Sequence, residues 1–503
     1  MSDLFEGISK KPKFLCPYCF EELEHTDVEF RASKCYKNIQ EIEREFGYTE
    51  DDIEVEFSSN DPIVARFKKA KQYCSHEDEK YNNFWAKYGN DKSEKDVLSS
   101  NDEAGSVSPW EYPIIDKTKM IKLLTDEDGF LIGCTDTLGN ETLNRVCCHC
   151  HNPLPTGYGT SYGKHPIKRI AIVGIRGAGK TVYISQLLDK FKYYMVKIGI
   201  NAYPLSNNES VFVSKNRVEK GVKLPESTQS KYFSQPMYYD ISYKDKFGNR
   251  VTNTVVFYDI AGENCISSQH LQKTNFHKFI MEADGMILLI DPSTQIYDEK
   301  IYNYNETAEQ MAARNPAVVM DTLHSAIPNK TKKYLECEIP LAVCVSKSDV
   351  RPDIFNGVVQ QDVQIATDKT DSSKRLFNGS EYNNLQRDLV NKLDNNEKTM
   401  ELMGKLEEFR HINLFALTAI GCNVDKETGC PLDKPNPKRI EEPVYWLFKQ
   451  FGIIESNTDV NLPRKKKGTK QEVKKKMFKK EIIEVAYDIL TESELSAHDN
   501  KNN

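Results

Sequence analysis

Eight consecutive residues, Gly174-Ile175-Arg176-Gly177-Ala178-Gly179-Lys180-Thr181, fit the spacing G-x-x-x-x-G-K-[ST]. Glycines at those places let backbone N–H groups turn inward around phosphate oxygens, the lysine reaches the β- and γ-phosphates, and the hydroxyl ligates Mg2+. Lys180 and Thr181 are therefore expected on a nucleoside polyphosphate and its Mg2+, with Gly174, Gly177, Ala178, Gly179 and Val182 lining the cradle. A second pattern, Asp259-Ile260-Ala261-Gly262, follows the apolar run 255–258. A carboxylate there holds Mg2+ through water, and Gly262 leaves its N–H to meet the γ-phosphate. A third, Ser346-Lys347-Ser348-Asp349, closes the apolar run 341–345. Asp349 can accept from guanine N1–H and the 2-amino group, which adenine does not offer, while the Lys347 stem lies over the base. Taken singly, each pattern also reads as an ordinary turn. Their order along the chain is what gives them specificity.

These residues need a scaffold that delivers them to one edge. Apolar runs at 169–174, 254–259, 285–291, 341–346 and 413–418 alternate with helical patterns, and such alternation reads as buried parallel strands with crossover helices. The phosphate pattern falls between a β-branched run and the helical pattern 182–194, the context it requires. The expected fold is α/β, with a mostly parallel sheet over 166–455 and a last helix at 439–451. A helix is also expected around 63–88.

Cysteines form a second constellation. Cys16-Pro17-Tyr18-Cys19-Phe20-Glu21-Glu22-Leu23 and Cys147-Cys148-His149-Cys150-His151-Asn152-Pro153-Leu154 both read C-x-x-C-x-x-x-L in register. Two such turns place four thiolates tetrahedrally around Zn2+, with the trailing leucine beneath, so Cys16, Cys19, Cys147 and Cys150 are expected to hold a structural zinc. The bland reading is two unrelated reduced pairs. This split zinc ribbon occupies 14–23 and 145–155 of a region 1–155, and its halves flank an α-rich insertion, 35–130, whose role the sequence does not reveal.

The ordered motifs resemble the TRAFAC class of P-loop GTPases, the translation-factor and Ras-like proteins, over about 168–453. The resemblance implies a GTP-binding and GTP-hydrolysing switch with GTP or GDP and Mg2+ as ligands. It identifies Thr418 and Ala419 with the class's last base-contacting loop, and it calls for a switch threonine, for which Thr228 is the best candidate, ahead of Ser227 and Ser230. Departures from the class pattern are informative. Ser346 replaces the usual Asn, and one structural hydrogen bond is expected to be weaker for it. Glu263 follows Gly262 where Ras-like members carry Gln, and Arg176 stands where they carry Gly. A carboxylate near the γ-phosphate needs a neutralising partner, so one expectation is that Arg176 pairs with Glu263 and, on activation, moves onto the transferring phosphate; the bland alternative is that Arg176 points to solvent and hydrolysis is slow. With Lys180, Thr228 and Gly262 these two complete the expected catalytic set. A zinc ribbon ahead of a GTPase domain resembles bacterial double-GTPase-type proteins of conflict and regulatory systems, which implies protein activators or effectors. Two alternatives stand beside the switch: a scaffold that holds nucleotide without turnover, and a P-loop ATPase or kinase.

Composition fits these readings. The chain has 503 residues, 39% hydrophobic and 28% charged, and a formal net charge of -7, which argues against a protein that coats nucleic acid along its whole length. Neither a spanning apolar run nor an amino-terminal signal core is present, so a cytoplasmic address is expected. Thirteen cysteines in that setting suit metal rather than disulfides. The tail 456–503 carries a basic stretch, 464–480, that reads first as a solvated charge run, with nucleic acid or an anionic surface as the alternative contact. An amphipathic pattern, 482–490, follows it.

Overall fold

The computed structural model describes residues 8, 10–87, 108–157, 160–225, 235–245, 247–273, 276–291, 311–327, 337–350, 355, 361–371, 374–394, 400–406, 408–425 and 427–460. A seven-stranded sheet runs in the order Asn201–Pro204, Met237–Lys244, Arg250–Ala261, Ile167–Gly174, Gly285–Ile290, Leu341–Val345 and Ile412–Ala416. The first two strands pair antiparallel, and the second is antiparallel to the third. The remaining pairs are parallel. The sheet is thus the mostly parallel one that the sequence predicts. Its central strands are apolar because both of their faces are covered: Ile170, Val173, Met286, Leu288, Leu341 and Val343 have no exposed surface.

The amino-terminal region is built from short strands and helices. Val28–Arg31 pairs antiparallel with Ile114–Ile115 and Arg145–Cys147, so the chain's two cysteine-bearing segments meet around one small sheet. Between them lie the helices Ile39–Phe46, Glu50–Glu56, Pro62–Lys71 and Glu79–Ala86, followed by the strands Met120–Thr125 and Leu131–Asp136. The single helix expected around 63–88 is therefore two. The second begins at Asp78, whose carboxylate caps it by accepting from Tyr81 N. Among the described residues no helix is long and apolar enough to cross a membrane. The basic stretch 464–480 and the amphipathic pattern 482–490 lie outside the described residues.

Candidate functional site

All three nucleotide motifs emerge at the carboxyl edge of the sheet, where α/β folds bind ligands. Register fixes this: Ile172 lies opposite Asp259, and Gly174 lies opposite Ala261 on one side and Leu289 on the other. From Gly174 the chain turns through Gly177 and Gly179, at φ 82° and 76°, conformations that cost a side-chain-bearing residue dearly. The helix Lys180–Asp189 then starts without a side-chain cap, which leaves its first N–H groups for an anion. Thr181 and Val182 line the same cavity as the loop.

Lys180 is buried and its ammonium contacts the Asp259 carboxylate. Burial pushes Lys180 down, to about 7, while Glu263 pulls it up. The contact with Asp259 acts in the same sense as Glu263 and favours the charged ammonium. Apart from each other, Lys180 Nζ and Asp259 Oδ1 have no hydrogen-bond partner among the described residues. Two buried, opposite charges left otherwise unsatisfied suit a site whose phosphate and Mg2+ would supply the missing ligands. Gly262 must be glycine: a Cβ there would lie 2.1 Å from Gly174 O, so only a bare backbone lets this strand end rest on the phosphate loop.

Arg176 Nε is 3.8 Å from Glu263 Oε1, with side chains 26% and 23% exposed. The two departures from the class pattern therefore face each other as an ion pair. Arg176 N also donates to Ala313 O at 2.9 Å, tying the loop to the turn before the helix Pro316–Ala326.

The other end of the site is held by side chains. Ser346 Oγ lies 2.7 Å from Ala178 O and 3.0 Å from Ile290 O, its one proton serving one of them at a time. The hydroxyl reaches the phosphate loop, so the hydrogen bond expected to be weaker has a serine version. Lys347, at φ 49°, donates to Gly177 O at 2.6 Å and to Asp291 Oδ2 at 2.7 Å. Asp349 is exposed in the short 3-10 turn Ser348–Val350. Thr418 is buried and its Oγ1 accepts from Gly421 N at 3.0 Å.

One cavity of about 770 Å3 runs from the phosphate loop past Gly262 and Glu263 to Lys347, Asp349 and Ala419, a volume within the range of small-molecule sites. Its wall includes residues the sequence reading missed: Leu224, Pro225 and the segment Cys422, Asn423 and Val424. These meet by long-range pairing, with Leu224 N donating to Gly429 O and Gly221 N to Pro431 O, both at 3.0 Å. Asp291 was missed too, although its place at the end of the strand next to the phosphate loop mirrors that of Asp259. Thr228, Ser227 and Ser230 lie outside the described residues.

The four cysteines also come together. Their sulfurs all lie within 4.8 Å of one another, with Cys16 to Cys150 at 3.7 Å and Cys19 to Cys147 at 3.8 Å. A sulfur tetrahedron around zinc, with bonds of about 2.3 Å, has edges of about 3.8 Å. The two turns repeat each other: Tyr18 N and His149 N point at Cys16 Sγ and Cys147 Sγ at 3.5 and 3.4 Å. Leu23 and Leu154 are buried. Among the described residues this is the one cluster of three or more ligands with such geometry.

A mostly parallel sheet with a phosphate loop at its centre and a cavity along its carboxyl edge defines a P-loop nucleotide-binding domain. Residues 168–404 match the model of the Double-GTPase 2 family. Over that span the chain is similar to P-loop GTPases of the double-GTPase type, and the match supports GTP binding. A protein of Mycolicibacterium smegmatis assigned by name to ESX-1 scaffolding and assembly, SaeC, is 25% identical over 215 residues, 41% of this chain and 51% of that protein. The chain thus spans about half the length of this curated relative. Loose overlaps occur with a GTP-binding protein of Sulfolobus solfataricus in complex with GDP (14% identity, 56% of this chain and 53% of that one, TM-score 0.22). A similar overlap occurs with an Era variant of Aquifex aeolicus bound to GDP and aluminium fluoride (13% identity, 59% of each chain, TM-score 0.22).

Proposed function

We propose that this chain binds GTP with Mg2+ in the cavity at the sheet edge, hydrolyses it by in-line attack of water on the γ-phosphate, and acts as a switch with partner proteins in the cytoplasm. The observation that carries this reading is the continuity of the cavity, which joins the phosphate loop at one end to Asp349 and Ala419 at the other. In it the loop N–H groups and Lys180 bind the phosphates. Thr181 and Asp259 would hold Mg2+, which neutralises phosphate charge when bound. The Gly262 N–H senses the γ-phosphate, with Thr228 the switch threonine. Asp349 accepts from the guanine edge, the Lys347 stem covers the base, and Thr418 and Ala419 close the base pocket. Lys347 is held in place by Gly177 O and Asp291.

Zinc on Cys16, Cys19, Cys147 and Cys150 is a structural part of the same reading, which divides the chain into a ribbon module at 1–155, a GTPase domain at 166–455 and a tail at 456–503. The name of the scaffolding relative supports protein partners over a solitary enzyme; for the tail, nucleic acid or an anionic surface is the secondary contact. Arg176 rests on Glu263 in this arrangement and moves onto the transferring phosphate on activation, a cis-acting arginine of a kind worth about three to five orders of magnitude in rate. Single-turnover hydrolysis of pre-bound GTP, started with Mg2+, tests the reading. GDP should form, with Arg176→Ala slower than wild type in the activated state and Glu263→Gln altered in rate. GTP remaining intact, with and without native partner, would make the chain a nucleotide-holding scaffold.

A further inference from the structure

The two cysteine turns share a backbone but face different surroundings. In each, the residue after the second cysteine takes a left-handed conformation, Phe20 at φ 59° and His151 at φ 52°, and donates its N–H to the first cysteine's carbonyl. His151 turns into its own module, where its ring meets Asp78 and Glu29. Phe20 turns the other way, onto the GTPase domain. Its ring packs edge-on against Phe279 at 4.7 Å and lies 5.9 Å from Tyr258. Tyr258, the residue before Asp259, donates its hydroxyl to Pro17 O at 3.1 Å. Lys278, beside Phe279, donates to Cys19 O at 3.3 Å and pairs with Glu21 at 3.6 Å. Tyr18 OH donates to Gln235 Oε1 at 2.8 Å. Tyr18, Phe20, Tyr258 and Phe279 are all buried.

One cysteine turn thus touches the strand that carries Asp259, the helix His277–Met281 that follows Gly262, and Gln235, which leads into the strand after Thr228. These are the segments on which the proposed function places γ-phosphate sensing. From this juxtaposition we infer that Tyr18 and Phe20 are positioning residues for the nucleotide site, so that metal at the four cysteines and nucleotide in the cavity bind with linked free energies. The inference rests on the GTPase reading. The physical reason is that Phe20 keeps its left-handed turn only while Cys16 and Cys19 converge. Any shift of Tyr258 or Phe279 between GDP and GTP states must then be accommodated by that turn or resisted by it. Linkage runs both ways: nucleotide state changes metal affinity by the same factor by which metal changes nucleotide preference.

The test measures zinc affinity of the full chain, by competition with a chromophoric chelator, with GDP and with a non-hydrolysable GTP analogue bound. Nucleotide occupancy is checked separately with a fluorescent guanine nucleotide. The expected result is a zinc affinity that differs at least about fivefold between the two states, the lower bound of ordinary coupling. Phe20→Ala should bring that ratio close to one while still taking up one zinc and one nucleotide. Tyr18→Phe keeps the ring and removes the hydroxyl that bonds Gln235, and should reduce the ratio without perturbing the packed ring if Phe20→Ala folds poorly. Equal zinc affinity in the two nucleotide states of wild type, with both nucleotides bound, would overturn the inference and leave the GTPase reading standing. Failure to bind guanine nucleotide at all would overturn both, and failure to bind zinc would overturn the inference.

Discussion

The cysteine cluster and the nucleotide cavity are both made by loops that leave strands, yet one is closed and the other open. Cys16, Cys147 and Cys150 are buried, as are Leu23 and Leu154, and the four sulfurs lie within 4.8 Å of one another. The cavity instead keeps about 770 Å3 clear, with Asp349 at its exposed rim. A closed set of four thiolates has no open coordination position for chemistry and suits a structural metal. An open cleft that ends in two otherwise unsatisfied charges, Lys180 and Asp259, suits a ligand that comes and goes. On the proposed reading, one region contributes folding energy and the other exchanges its ligand.

The largest expected effect lies on the closed side. Cys147→Ser with Cys150→Ser should reduce zinc from about one per chain to none by metal analysis. Structural zinc contributes about 10 kcal/mol or more of apparent binding free energy, so the amino-terminal module should lose cooperative unfolding as well. Zinc retained at full occupancy would move the ligands elsewhere. Next, on the open side, Lys180→Ala should weaken GTP and GDP binding about 100-fold, the equivalent of about 3 kcal/mol for hydrogen bonds to charged groups. In the absence of nucleotide the variant also leaves the buried Asp259 carboxylate without its cation, so a loss of stability smaller than that of the zinc module is expected. Direct titration with a fluorescent nucleotide reads the first effect, and a matched loss of stability would blur the contrast. Smaller still, Asp349→Asn should cost GTP about tenfold in affinity, roughly 1.4 kcal/mol, and improve xanthine nucleotide binding, because an amide donor then faces the base. Unchanged selectivity would remove Asp349 from the base site. The least effect is expected from Ser346→Ala, about 1 kcal/mol or some fivefold in nucleotide affinity, since one neutral hydrogen bond to the loop is lost.

How legible each region was follows from sequence distance. The phosphate loop is a single strand-loop-helix unit, so its glycines, Lys180 and Thr181 could be read from one stretch. The cysteine cluster joins residues more than a hundred positions apart, 134 between Cys16 and Cys150, but the in-register repeat of C-x-x-C-x-x-x-L announced the pairing. No such repeat marks Leu224, Pro225 or Cys422 to Val424. They reach the cavity only through backbone bonds between two irregular segments, Leu224 N to Gly429 O among them, and irregular segments carry no period to read. The break between the helices Pro62–Lys71 and Glu79–Ala86 was hidden because apolar residues continue across it: Tyr73, in the turn, is as buried as Phe67 before it. Arg176 and Glu263 were found from the opposite signal, a departure from a pattern, and their 3.8 Å approach shows how a mismatch in two places can be one feature.

The claim on which the rest depends is that the open cavity selects guanine nucleotides. Competition against a bound fluorescent GDP tests it directly, with unlabelled GTP, GDP and ATP added to the full chain in Mg2+. GTP and GDP should displace the probe at comparable concentrations, while ATP leaves it in place even at about 100-fold excess, a discrimination of roughly 2.7 kcal/mol. Displacement by ATP as readily as by GTP would contradict the account, leaving Ser346 to Asp349 an ordinary turn beside a phosphate loop without base preference.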